Sequence, residues 1–184
     1  MESDRGRRRA DGVTACATGA ASTDLQFSPD SDKAIVVLGL EGLDAWRGMS
    51  VYVYFRGVDA AGAFDDRSFS VSNGNGWRPM GPQEYFVVDA EPGAYVVSTA
   101  STYIGMSQTI TTFCLGTVRF EAPAGQAVYI GNFLAPRGGS TVVPSPPDFG
   151  AAAAKLREYA NVQQSLTQAQ TQDVPYPPSR ACRS

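Results

Sequence analysis

The chain is expected to be all-β: a seven- to eight-stranded antiparallel β-sandwich with one C-terminal helix and an extended tail. Three observations lead there. From Lys33 to about Pro136 the apolar residues come in short runs or in strict alternation, the period of a strand and not of a helix. Gly, Asn and Pro punctuate these runs at short intervals, as turn-forming residues do. No interval between the runs has room for the crossover helix that parallel strands require. About seven or eight strands within roughly 100 residues fit two packed sheets.

Each element has its own justification. Ala34-Ile35-Val36-Val37-Leu38 is a continuous apolar run, so it reads as a strand covered on both faces. Val51-Tyr52-Val53-Tyr54-Phe55 puts Val51, Val53 and Phe55 on one face, with Tyr52 and Tyr54 on the other. Ser68-Phe69-Ser70-Val71-Ser72 alternates, which points Phe69 and Val71 inward. Asn73-Gly74-Asn75-Gly76 then reads as a turn, because Asn and Gly tolerate positive φ. Residues 85–88 and 95–97 flank Glu91-Pro92-Gly93. Pro presets φ at the first central position and Gly supplies positive φ at the second, so this unit reads as a hairpin closed by a type II turn. A second unit has the same form: Val118-Arg119-Phe120-Glu121, a turn through Pro123 and Gly125, then Val128-Tyr129-Ile130.

Beyond residue 136 the pattern changes. Asp148 is a fitting N-cap for a helix over about 150–161, where Ala151 to Ala154 have high helix propensity. Leu156 and Tyr159, three apart, give it one apolar face, expected to dock on the sandwich or cover an edge strand. Residues 163–172 are polar and Gln-rich, an ordered wrap or a loose linker. Val174-Pro175-Tyr176-Pro177-Pro178 should be extended, since each Pro biases its predecessor away from helix. The organisation expected is therefore 1–32 as a disordered N-terminal segment, 33–136 as the sandwich and 137–184 as a helix with a C-terminal arm.

Composition narrows function by exclusion. The 184 residues are 43% hydrophobic and 18% charged, and they contain no His. Without His, neither a Ser-His-Asp nor a Cys-His nucleophile can be assembled, nor an imidazole metal site. A net charge of −3 argues against a nucleic-acid surface. The longest apolar run, 34–40, is far short of the ~20 residues of a membrane helix. Lys33 and Lys155 are the only lysines, leaving little material for a Ser-Lys dyad, and no Asp/Glu pair stands out by position. No enzyme, no cofactor and no metal are expected.

At the N-terminus, Arg5, Arg7, Arg8 and Arg9 precede Val13-Thr14-Ala15-Cys16, and Ala17-Thr18-Gly19-Ala20-Ala21-Ser22 follows. Small residues before a Cys and a small polar tether after it resemble a bacterial lipobox. That resemblance implies lipidation at Cys16 and, with Ala17 and no Asp next to it, an outer-membrane destination. Only Ala10-Asp11-Gly12 stands where a signal peptide carries ~7–15 apolar residues. The signal segment is thus incomplete in this chain: the start is misassigned or altered, or the match is chance and the Cys belongs to an ordinary tail.

The unit Phe86-Val87-Val88-Asp89-Ala90-Glu91-Pro92-Gly93-Ala94-Tyr95-Val96-Val97 resembles the turn-and-Tyr hairpin of transthyretin-like and carboxypeptidase-regulatory-like sandwiches. The unit from Phe120 to Ile130 is similar to one in small bacterial lipoproteins of the DUF2846-like group. The resemblance implies a periplasmic, lipid-anchored sandwich without catalytic residues. In such an envelope protein three cysteines divide naturally into Cys16 for lipid and Cys114 with Cys182 for a disulfide, a bond of oxidising compartments. The alternative is one buried thiol at Cys114 and a free one at Cys182.

Asp59, Asp65 and Asp66 surround residues 60–64, but their spacing does not match a calcium loop, and a solvated loop is the expectation. Trp46 and Trp77 flank strands and suit either core anchoring or stacking on a sugar. Residues 101–113 are uncharged and hydroxyl-rich, and Tyr103, Ile104, Met106 and Phe113 there are candidate partner contacts; the simpler reading is one more hairpin. The expected function is a non-enzymatic, lipid-anchored protein of the bacterial outer membrane, facing the periplasm or the surface. It would serve as a protein-interaction or structural module for an envelope partner, with homo-oligomers among the outcomes. The alternatives are a sandwich that binds a small molecule or glycan, and a subunit of an envelope assembly or filament.

Overall fold

The strand Ala34–Glu41 is fully buried from Ala34 to Leu40, and the layers of the molecule are arranged around it. The structure, a computed structural model, describes residues 17–18, 25–46, 48–74, 81–135 and 141–182. In chain order the strands are β1 (Ala17–Thr18), β2 (Ala34–Glu41), β3 (Ser50–Val58), β4 (Phe64–Ser72), β5 (Gln83–Ala90), β6 (Gly93–Ile104), β7 (Ser107–Thr112), β8 (Thr117–Ala122) and β9 (Ala127–Leu134). The short β10 (Pro144–Ser145) precedes helix α1 (Phe149–Arg157), and β11 (Leu166–Gln168) and β12 (Thr171–Val174) follow it. One sheet has seven strands in the order β1-β4-β3-β6-β8-β12, with β7 also on β6. The other has five, in the order β10-β9-β2-β5, with β11 also on β9.

The two sheets face each other, as an all-β sandwich requires. Val36, Leu38 and Leu40 of β2 and Val128 and Ile130 of β9 meet Val53, Phe55, Phe69, Tyr95 and Phe120 of the larger sheet in one core. Val51, Val53, Phe55, Phe69 and Val71 point inward, as their alternation predicts. Phe55 stacks on Phe69 at 4.5 Å, and Tyr95 on Phe120 at 5.9 Å. On the other side of β2, Ile35 and Val37 join Val87 and Tyr129 beneath Ala152, Leu156 and Tyr159. The helix therefore forms a third layer, on the side predicted for Leu156 and Tyr159. Asp148 caps it by accepting a 2.9 Å hydrogen bond from the Ala151 amide.

Several sequence expectations are corrected. There are twelve strands among the described residues, not seven or eight; eight have six or more residues, and β1, β10, β11 and β12 are short additions of two to four. The pairing is not wholly antiparallel, because β2 runs parallel to β9 and β11 parallel to β9. The cause lies in the two turns read as hairpins. β5 belongs to the smaller sheet and β6 to the larger, so Glu91-Pro92-Gly93 carries the chain across the sandwich. The turn through Pro123 and Gly125 likewise joins β8 to β9 across the two sheets. A hairpin obliges its strands to be antiparallel neighbours, whereas a crossing does not. Turn residues supply the bend in either case and do not choose between them.

Two smaller corrections follow, and one open alternative is decided. The helix ends at Arg157 and not at 161, because the chain turns at Tyr159 to bring Val162 beside Phe27. Phe27, placed by sequence in the disordered segment, is buried beneath that turn, and its amide donates to the Asn161 carbonyl at 3.1 Å. The Gln-rich stretch is an ordered wrap: β11 pairs with β9, and the Gln164 and Gln168 amides donate to the carbonyls of Gly125 and Tyr129 at 2.8 and 3.0 Å.

The first crossing is locked by Arg67. Its guanidinium donates to the Pro92 carbonyl at 2.6 Å and the Val58 carbonyl at 3.1 Å, and it pairs with Asp65. The Tyr95 hydroxyl donates back to the Glu91 carbonyl at 2.7 Å, closing the same corner. Gly93 has φ +140°, and a Cβ there would collide with the Arg67 guanidinium. Backbone strain of this kind costs about 1–3 kcal/mol. Gly93→Ala is therefore expected to lower the free energy of unfolding by at least about 2 kcal/mol in urea titration. An unchanged midpoint would remove Arg67 as the lock of this corner.

Candidate functional site: an open hairpin and a pinned arm

The segment 101–113 folds mainly as the hairpin of β6 and β7, turning at Gly105 with φ +58°. From Val97 to Val118 the sequence carries no charge. Its tip is apolar and exposed: Met106 is fully accessible, Ile104 57% and Ile110 62%. β7 pairs with β6 alone, so its other edge has no ladder partner among the described residues. Such edges normally carry charge, Pro or a bulge that discourages pairing with another chain.

The four partner candidates thus separate. Ile104 and Met106 are presented at the tip. Tyr103 is half-buried, with its ring edge-on to Tyr52 at 5.4 Å, and Tyr52 in turn stacks on Tyr54 at 6.2 Å. Phe113 is not a surface contact. It is 4% exposed and belongs to the sandwich core, because the chain has left β7 and turned inward there. Leu115, 77% exposed in the following turn, was missed by sequence, since a lone Leu between turn residues carries no period.

The C-terminal arm lies along the other end of the same sheet. β12 pairs antiparallel with β8, from Thr171 opposite Phe120 to Val174 opposite Thr117. Beyond it, Tyr176 meets Phe64 edge-to-face at 5.5 Å, and the Arg56 guanidinium lies 4.1 Å above the same ring. Desolvation raises the pKa of Tyr176. The arm leads to Cys182, which stands at disulfide distance from Cys114, with Sγ atoms 2.02 Å apart and Cα atoms 5.3 Å apart. Between arm and sheet is a cavity of about 380 Å³, walled by Tyr54, Phe64, Ser70, Thr99, Tyr176 and Ser179. A second, apolar cavity of about 500 Å³ opens between the two sheets near Leu40, Val97, Phe133 and Val142.

The acidic loop is structural. The Asp59 carboxylate accepts from the Ala61 and Ala63 amides at 2.9 Å, and Asp65 is taken by Arg67. No group of three or more metal-ligating side chains occurs among the described residues. Cys16 and Trp77 lie outside the described residues, as does the side chain of Trp46, whose backbone is in a short 3-10 turn. Comparison with protein-family models, curated proteins and solved structures found no match.

Two outcomes follow. Linking Cys114 to Cys182 closes a loop of 68 residues, which the chain-entropy model values at roughly 4 kcal/mol. Reduction, or Cys182→Ser, should lower the thermal midpoint and release the arm to limited proteolysis, with cleavage first after residue 170. Identical protease patterns with and without reductant would contradict this. The hydrogen bond from Arg67 holds the Asp65 carboxyl below its ordinary value of 3.8. A lowered folded pKa gives stability that is present above the ordinary value and lost as pH falls through the folded one. Asp65→Asn should therefore be less stable than wild type at neutral pH and converge on it in acid. Parallel stability curves from pH 6 to pH 2 would count against it.

Proposed function

We propose that this protein is a non-enzymatic, lipid-anchored protein of the bacterial envelope that acts as a protein-interaction module, with β7 as its contact strand. The observation that carries the reading is the open, uncharged β7 edge beside exposed Ile104, Met106 and Ile110. An extended partner segment can add to such an edge through main-chain hydrogen bonds, while side chains on one face supply selectivity. The occupant is an extended, uncharged segment of another envelope polypeptide, since a charged one would find no counter-charge from residue 97 to 118.

Compartment and anchoring support the same reading. A cysteine pair at disulfide distance belongs to an oxidising compartment. The lipobox-like Cys16 directly precedes β1, which pairs with β4 at one border of the seven-stranded sheet. β4 and β7 stand on opposite sides of the β3-β6 pair. A lipid at Cys16 would thus leave from one border and β7 would be offered from the other. The likeness to transthyretin-like lipoproteins is part of this proposal.

The test is site-specific photo-crosslinking in the native envelope from residue 109 on β7, against residue 154 on α1. A partner captured from 109 and not from 154, and lost in Ile110→Lys, is the expected outcome. Ile110→Lys changes an exposed side chain and should leave the thermal midpoint unchanged. Equal crosslinks from both positions, or capture unaffected by Ile110→Lys, would overturn the assignment. A crosslink only to a second copy of this chain would replace the partner by self-assembly.

A further inference from the structure

We infer that the cavity beneath the C-terminal arm is a binding site for a small hydroxylated carboxylic acid of the sugar-acid class. This site takes Thr112 from β7 but uses the face of the sheet and not the open edge of that strand, so it does not rest on the proposed partner contact. Its floor is the outer face of the seven-stranded sheet, where Tyr54, Ser68, Ser70, Thr99 and Thr112 come from four adjacent strands. Its roof is the arm, through Tyr176, Ser179 and Ala181.

Three features set the ligand class. First, hydroxyls dominate the polar lining, and each can donate and accept, as a polyol requires. Aromatic rings of Tyr54, Phe64 and Tyr176 lie among them, offering apolar surface to the C–H face of a sugar. Second, among the described residues Arg56 is the only charged one in the lining, and no carboxylate lines the cavity with it. Asp65 is engaged by Arg67, and Arg56 donates to the Asp65 main-chain oxygen at 3.4 Å. Its guanidinium is held over the Phe64 ring, where a planar fork suits one carboxylate. A polyphosphate would find a single cation among the described residues of the lining. Third, the Ser179 hydroxyl oxygen is buried without a hydrogen-bond partner among the described residues. A buried polar group in that state is costly, and a ligand hydroxyl would satisfy it once a small shift of the arm exposes it.

The Cys114–Cys182 pair keeps the roof in place, so binding should depend on it. The test is calorimetric titration of the oxidised full chain with glucuronate, galacturonate and gluconate, and with glucose as the uncharged control. At least one acid should bind with a Kd at or below about 1 mM, and glucose roughly tenfold more weakly. Arg56→Gln, on an exposed side chain, should keep the thermal midpoint and lose about tenfold in acid affinity. Cys182→Ser, checked as folded by circular dichroism, should lose binding by releasing the roof. No heat from any of the three acids up to about 10 mM would overturn the site. So would undiminished affinity in Arg56→Gln or in folded Cys182→Ser.

Discussion

A strand whose side chains are apolar on both faces cannot lie at a surface, and β2 is such a strand. Ala34, Val36, Leu38 and Leu40 need one apolar layer, and Ile35 and Val37 need another on the opposite side. The seven-stranded sheet supplies the first. The second is assembled from distant parts of the chain: α1, the turn at Tyr159 and the segment around Phe27. The helix, the Gln-rich wrap and the lead segment are therefore not appendages. They complete the cover of the central strand.

The chain reaches this arrangement by crossing between sheets, and the crossings are defended by specific side chains. Arg67 ties the β4 strand to the carbonyls at Val58 and Pro92, while Tyr95 closes the corner from within. Burial raises the pKa of Tyr95 to about 12, so its hydroxyl remains a donor throughout the ordinary pH range. A similar role falls to Tyr129, whose oxygen accepts from the Asp148 amide and whose proton goes to Asn132, joining the smaller sheet to the helix cap. Polar groups in this molecule are placed where layers join.

Two surfaces stand apart from that economy. The β6–β7 hairpin leaves apolar side chains and a strand edge uncovered, and the arm leaves a hydroxyl-lined cavity with one guanidinium and no carboxylate among its described lining residues. Elsewhere β8 is covered by β12 and β9 by β10 and β11, whereas β5, like β7, borders its sheet without an outer partner among the described residues. What sets β7 apart is the absence of charge along it and the exposed Ile104, Met106 and Ile110 beside it. The cysteine pair belongs to the second surface, because it fixes the arm that roofs the cavity.

The all-β class, the inward faces of β3 and β4, the double burial of β2, the Asp148 cap and the apolar face of α1 were all legible in the sequence. Each depends on residues close along the chain, whose period or pairing is local. The uncharged stretch and the cysteines were legible as candidates by composition. Which sheet each strand joins was not, because Pro-Gly turns bend a chain equally well within a sheet and between sheets. The direction of β2 against β9, the inward turn of Phe113, the exposure of Leu115 and the meeting of Arg56, Phe64 and Tyr176 follow from that choice. They join residues up to more than 100 positions apart, and only the packing of one layer on another brings them together.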